Sequence, residues 1–287
     1  MTPDYVSIII PAFNEAGAIG PVIERLRTRL PEVELLVVDD GSSDATAAIA
    51  EAAGAKVISH SRNRGYGGAL RTGTLQATRE YVLFCDSDGQ HSAEDVSRII
   101  EAGDGCDMVV GARTQASHVP LSRRPGKFVL RRFADYLAGE KIPDMNSGLR
   151  MIRRDVLLKY LHLMPAGFSF STTSTFAMLK TNRKIKWIPI TVVERVGKST
   201  VSQLKHGPQT LLLLVRLTVL FEPLKVFLRI AAGLFVLDIL SFIVDLFTSG
   251  RLNVGDTTVL LGVAALLVFL FGLLCDQVAA MRREIHE

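Results

Sequence analysis

The chain has 287 residues, 48% of them apolar, with three cysteines and a formal net charge of +4. That length admits more than one domain without requiring it. Three cysteines without metal-ligand spacing argue against a disulfide framework and fit a reducing compartment, and the modest charge matters less than where the basic residues gather, close to two long apolar blocks.

The opening "MTPDYVSIII" runs straight into a strand-like segment before Pro11, with no legible signal peptide, so the first domain is expected in the cytosol. "YVSIII", "ELLVVDD", "KVISH", "YVLFCDSD" and "DMVVGAR" are short, β-branched runs ended by polar residues or Gly, which predicts buried strands. The stretches between them predict helices. "EAGAIGPVIERLRTRL" puts Ile19, Ile23, Leu26 and Leu30 on one helical face, and "SSDATAAIAEAAG" ends in a glycine suited to a C-cap. Ser92, three residues before Asp95, predicts a capped helix start. "NRKIKW", with Trp187, reads as a strand entry. Strand and helix alternate, which predicts an α/β domain with a mostly parallel, doubly wound sheet and ligand loops at the strand C-termini.

Acids stand at those ends. "VVDDGSSD" closes the second strand with Asp39 and Asp40, where strand-end solvation and a helix cap from Ser42 or Ser43 would also account for the pattern. "FCDSDGQH" closes the fourth with Asp86 and Asp88. Alternate strand residues face opposite ways, so a turn must bring these two carboxylates together, and a divalent cation supplies the missing charge.

The ordered set "PAFNE", "VVDDGSSD", "RNRGYGGAL", "DSDGQH" and "NSGLR", spread over most of residues 6–200, resembles the family 2 glycosyltransferases of GT-A (Rossmann-like) fold. "DGQH" and "ERVGKST" narrow the resemblance to the polyprenyl-phosphate glycosyltransferases of the dolichyl-phosphate mannose synthase type. The Gln-x-x-Arg-Trp motif of processive polysaccharide synthases is absent. The resemblance implies that Pro11, Ala12, Asn14 and Glu15 line a nucleotide pocket and that Asp39 or Asp40 accepts a hydrogen bond from base or ribose. Asn63 and Gly65 would pack on the nucleoside, the glycines of their loop permitting close approach. Asp86 and Asp88 would hold Mg²⁺ or Mn²⁺ on the donor diphosphate, with Asp88 expected as the direct ligand. Gln90 would sit beside metal and sugar, with His91 a neighbouring loop residue. Arg195, Lys198 and Ser199 resemble a mobile strip closing over the diphosphate. Asp144 matches the position of a base or acceptor-positioning acid.

In "RTQASHVPLSRRPGKFVLRRF", Arg123, Arg124, Lys127 and Arg131 read either as a solvated basic face or as a loop gathering a lipid phosphate, and Arg113 sits just after its strand. Residues 224–247 and 257–280 are each long enough to cross a bilayer core of about 30 Å as helices, although the second also reads as a buried core helix. Lys205, Arg216, Lys225, Arg229, Arg282 and Arg283 flank this hairpin and only Arg251 lies in its turn, which places both ends in the cytosol of an inner-membrane, multi-pass protein. Residues 203–222 predict an interfacial helix after a catalytic domain at 1–202. Asp238 and Asp245 fall on nearly one face of the first span. Asp245 is expected at the outer interface and Asp238 in a helix–helix or subunit contact, which admits a homo-oligomer.

The expected activity is metal-dependent, inverting transfer of one sugar from a UDP- or GDP-sugar to polyprenyl phosphate, with no nucleic-acid partner. The alternatives are another membrane-associated acceptor, or a silent membrane scaffold. The scaffold would tolerate loss of Asp86, Asp88, Arg195 and Lys198, all of which are present.

Overall fold

The computed structural model describes residues 1–113, 139–167, 169–192, 218–249 and 254–286, together with 132, 135, 136, 212, 215 and 216. The chain divides into two compact units, Met1–Gly207 and Pro208–Glu287.

In the first unit, strands β1 (Val6–Ala12), β2 (Glu34–Asp39), β3 (Lys56–Ser59), β4 (Tyr81–Phe84), β5 (Met108–Arg113), β6 (Arg150–Arg153) and β7 (Ile185–Ile190) form one sheet ordered β3-β2-β1-β4-β6-β5-β7. Every pairing is parallel except those of β6, which runs antiparallel to both β4 and β5. Around it lie α1 (Ile19–Arg29), α2 (Thr46–Ala52), α3 (Tyr66–Gln76), α4 (Ala93–Glu101), α5 (Arg154–Tyr160) and α6 (Phe170–Lys180). β1 is buried along its whole length, as expected of a central strand covered on both faces. This is the α/β architecture expected, and the five anticipated strands all form. β6 was not anticipated, because "RMIR" is short and bounded by arginines.

The helix signals translate into specific contacts. Ile19, Ile23, Leu26 and Leu30 are buried, and Val22 joins them. Ser92 caps α4, its Oγ accepting from Asp95 N at 3.0 Å. Gly54, just past α2, takes the left-handed conformation (φ 92°) that favours glycine there. The cap of α2 comes from neither Ser42 nor Ser43. Asp44 accepts from Thr46 N at 3.0 Å, and the serines bond the β1 loop instead.

The second unit contains α7 (Pro223–Ser249) and α8 (Asp256–His286), both long and apolar enough to cross a membrane. The most apolar window of α8 is only 17% buried, so α8 is not a buried core helix. The two helices meet along their length, with Phe227 and Phe271 edge to face at 5.4 Å. Asp245 reaches across the hairpin, accepting from Gly255 N at 2.9 Å and from the Thr258 hydroxyl at 2.8 Å. A carboxylate from α7 thus caps the N-terminus of α8. Asp238 faces Gly262 of α8. Most of residues 203–222 lie outside the described residues.

A Cβ on Gly73 of α3 would stand 2.4 Å from Cγ2 of Ile9, a stiff, β-branched residue of the central strand. Gly73→Ala is therefore expected to destabilise the sheet unit by about 1–3 kcal/mol. Denaturant unfolding followed through the single tryptophan, Trp187 of β7, measures this.

Candidate active site

The order of the strands reverses between β1 and β4, the place where an open α/β sheet parts its loops into a crevice. Four loops converge at the strand C-termini there.

The first two are stapled together. After β1, Asn14 adopts φ 55°, its N–H donates to Ser42 Oγ at 2.9 Å, and its side-chain oxygen accepts from Ser43 N at 2.8 Å. Glu15 N donates to Thr46 Oγ1 at 2.9 Å. Asp39 and Asp40, both buried, have different tasks. Asp40 accepts from His60 Nδ1 at 2.6 Å and from the backbone N–H groups of Arg64 and Gly65, each at 2.8 Å. Both its oxygens are thus committed to shaping the third loop, which leaves Asp39, bonded to Ser42 N at 3.2 Å, as the acid of the pair suited to a ligand. Asn63 closes the same loop by accepting from Gly65 N at 3.0 Å.

The glycines of the third loop permit close approach, but of the chain itself. A Cβ on Gly65 would lie 2.7 Å from the Ala166 carbonyl oxygen, and one on Gly67 would lie 2.1 Å from that of Pro165. Gly68 N donates to Ala166 O at 3.1 Å. The Cβ side of these glycines is thus taken by the segment 165–167, and the exposed part of the loop is Ser61–Arg64.

The acid pair follows β4. Tyr66, the first residue of α3, donates its hydroxyl to Asp86 Oδ1 at 2.9 Å, and His91 Nε2 stands 3.7 Å from Asp86 Oδ2. Gly148 lies against the same carboxylate, close enough that a Cβ would come within 2.2 Å of Oδ2. Burial raises the pKa of Asp86, yet the hydrogen bond and charge of His91, with Tyr66 and Arg113, outweigh it and leave the group below the usual carboxylate value. Burial and the neighbouring Asp86 push the Tyr66 phenol well up, so it remains a donor. His91 is more than a bystander: its side chain is 6% exposed and its Nδ1 is buried without a hydrogen-bond partner. Asp88 is buried and accepts from Gln90 N at 3.1 Å across a turn at Gly89 (φ 74°).

Arg113 and Asp144 meet in a two-pronged pair, Nε–Oδ2 2.6 Å and Nη2–Oδ1 2.9 Å, with Arg113 N also donating to Oδ2 at 3.2 Å. Burial raises Asp144, but Arg113 more than compensates and its pKa falls below the ordinary value. The carboxylate in turn fixes the orientation of the Arg113 guanidinium. Behind it, fully buried Arg150 donates only to neutral oxygens, and burial pulls its pKa down to about 10.

Among the described residues no three His, Cys, Asp or Glu side chains converge as a metal cage. A two-acid set still suits Mg²⁺ or Mn²⁺, which bind through one or two carboxylates and complete their shell with phosphate oxygens and water. Asp86 also accepts from the Tyr66 hydroxyl. Arg123, Arg124, Lys127, Arg131, Arg195, Lys198 and Ser199 lie outside the described residues. Tyr66, Gly148 and Arg150 were not singled out from sequence, although each lies inside a quoted motif; His60 carried only the signal of a lone histidine at a strand end.

A mostly parallel α/β sheet with an acid pair at its crevice is the architecture of the GT-A glycosyltransferases. The chain belongs to glycosyl transferase family 2, whose model matches residues 7–161, and residues 222–281 match the GtrB C-terminal hairpin. It is therefore a glycosyltransferase. It is 30% identical to an undecaprenyl-phosphate mannosyltransferase of Micrococcus luteus over 69% of this chain and 87% of that one. It is 31% identical to a dolichyl-phosphate hexose transferase of Haloferax volcanii over 72% and 90%. The sheet unit also resembles a glucosyl-3-phosphoglycerate synthase of Mycobacterium tuberculosis solved with Mn²⁺, UDP and phosphoglyceric acid (TM-score 0.62, 22% identity, 74% of this chain and 78% of that one).

Two outcomes are expected. Gly148→Ala pushes on Asp86 and should weaken metal-dependent nucleotide binding on the order of tenfold, the scale of a side chain forced off its rotamer; calorimetric titration reads it. Asp144 has a depressed pKa in the fold, so the stability it confers is complete above the unfolded value of about 3.9 and lost as pH falls through the folded one. The melting difference between wild type and Asp144→Asn should stay level between about pH 5 and 8 and shrink only below about pH 4.

Proposed function

We propose that the protein transfers a single sugar, with inversion, from a UDP- or GDP-sugar to a polyprenyl phosphate (undecaprenyl or dolichyl) at the cytosolic face of the cell membrane. The observation that carries this is the pairing, in one chain, of the family 2 domain with the hairpin at 222–281; relatives named for undecaprenyl- and dolichyl-phosphate transfer add support for the acceptor. The hairpin keeps the enzyme where a lipid acceptor resides, and the basic residues flanking it support a cytosolic orientation.

The roles of the residues follow from their surroundings. The loops after β1 and β2, stapled through Asn14, Ser42 and Ser43, form a firm edge on which Pro11, Ala12, Glu15 and Asp39 receive the nucleoside. Asp86 and Asp88 take the diphosphate end through a divalent cation, which when bound neutralises charge on the leaving diphosphate. Gln90 borders that end. The family resemblance, rather than any described surroundings, supports a role for Arg195, Lys198 and Ser199 in closing over it. An acceptor phosphate is already ionised near neutral pH, so attack on the anomeric carbon needs no proton removal, and a base is dispensable. Asp144 accordingly works through Arg113, whose guanidinium it holds in a two-pronged pair and whose charge supports a phosphate-binding role.

The test is sugar transfer into the organic phase, with full-length protein in liposomes, polyprenyl phosphate, Mn²⁺ or Mg²⁺, and labelled UDP- and GDP-sugars. One donor should give a lipid-linked product that EDTA abolishes. Asp88→Asn should cost about 10²–10³-fold, the scale of lost transition-state charge stabilisation. Asp144→Asn should cost less than about tenfold, since no proton has to be removed. Metal-dependent donor binding without lipid product would redirect the proposal to another acceptor, and no donor binding would favour a scaffold.

A further inference from the structure

A fully buried arginine normally meets a carboxylate, because an unpaired cation in a protein interior is costly. Arg150 meets none. Its Nε donates to Ser147 O at 3.0 Å and Nη2 to Ser147 O and Met145 O. Nη1 donates to Ser171 O at 2.6 Å and to the hydroxyls of Ser174 and Thr175, both at 2.9 Å. The guanidinium thus ties the loop Met145–Gly148 to the first turns of α6. Thr172 of α6 repeats the tie, its hydroxyl donating to Asn146 Oδ1 at 2.7 Å.

The loop tied by this fork reaches Asp86, and the helix reaches the strand that leads to it. Gly148, one residue beyond Ser147, is seated against the Asp86 carboxylate. On the other side, Phe170 of α6 packs edge-on against Phe84, two residues before Asp86, with ring centres 5.4 Å apart. The segment 165–167 leading toward α6 supports the glycine loop that presents Tyr66 to Asp86. The uncompensated charge of Arg150 also lies within electrostatic reach of Asp86 and Asp144.

We infer that Arg150 is a positioning residue for the metal–diphosphate end of the donor: its fork fixes the loop whose Gly148 abuts the Asp86 carboxylate and the helix that packs on Phe84, and it thereby sets metal-dependent nucleotide affinity without touching the ligand. The inference rests on the donor-binding role proposed for Asp86 and Asp88. It needs the planar fork, not merely a cation, because the contacts are to oxygens of Met145, Ser147, Ser171, Ser174 and Thr175 spread around the guanidinium plane.

The experiment uses the full-length chain in detergent, comparing wild type, Arg150→Lys and the milder pair Ser174→Ala with Thr175→Val, which leaves the arginine in place. Folded fraction is taken from Trp187 fluorescence, Mn²⁺ binding from the paramagnetic resonance of free Mn²⁺, and UDP and GDP binding from calorimetry with and without Mn²⁺. Normalised to folded protein, Arg150→Lys should lose at least about tenfold in Mn²⁺-dependent nucleoside diphosphate affinity, the range seen when partners behind a ligand are removed. The hydroxyl pair should lose about threefold or more, and in sugar transfer the donor KM should rise more than kcat falls. Unchanged affinity per folded molecule in the hydroxyl pair or in Arg150→Lys would overturn the inference, leaving Arg150 a purely structural residue. Should Arg150→Lys not fold, the hydroxyl pair decides alone. Wild type that binds neither nucleotide with Mn²⁺ would instead sink the proposed role of the acid pair.

Discussion

Two carboxylates one residue apart at the end of a buried strand repel each other, and the catalytic unit is arranged around that constraint. Asp86 is gripped from two sides, with the Tyr66 hydroxyl on one oxygen and the Gly148 backbone and His91 near the other. Asp88 turns back on its own loop through Gln90 N. One acid is thus held by neighbours from two distant loops, and the other accepts from the backbone of its own turn.

The antiparallel strand β6 makes this grip possible. By inserting between β4 and β5 it brings the loop before it, residues 144–149, to the rim where β4 and β5 end. Asp144 then reaches Arg113 at the end of β5, while Gly148 reaches Asp86 just beyond β4. An all-parallel sheet would have delivered that loop to the opposite edge. Arg150, the first residue of β6, points its guanidinium into α6, so the strand that carries the loop also anchors it.

The membrane unit solves a separate problem with similar means. A turn between two apolar helices leaves backbone N–H groups at the start of the second helix, where unmet donors are costly near lipid. Asp245 supplies the acceptor from the first helix, and Thr258, itself bonded to Ser241 at 2.7 Å, completes the closure. An acid that looks out of place in an apolar segment is thereby a cap.

The sequence by itself determined the parts that depend on local pattern. Runs such as "YVSIII" and "ELLVVDD" are apolar because their strands are covered on both faces, and the helix starting at Ser92 follows from a hydroxyl placed three residues before an acid. The acids at the strand ends, the family they signal and the two membrane-length helices are legible for the same reason: composition and spacing over a few residues suffice. Tertiary structure decided which of those residues hold one another. Asp40 rather than Asp39 is consumed by His60 and the third loop, Asp144 is bound by Arg113, and the glycines of "RNRGYGGAL" admit the chain's own backbone. Arg150 reads in sequence as one more charge at the end of "NSGLR". Its partners Ser171, Ser174 and Thr175 stand 21 to 25 positions away, and Asp40–His60, Tyr66–Asp86 and Arg113–Asp144 span 20 to 31. Hydrogen bonds across such separations leave no periodicity in the chain, because the sheet order sets which loops become neighbours.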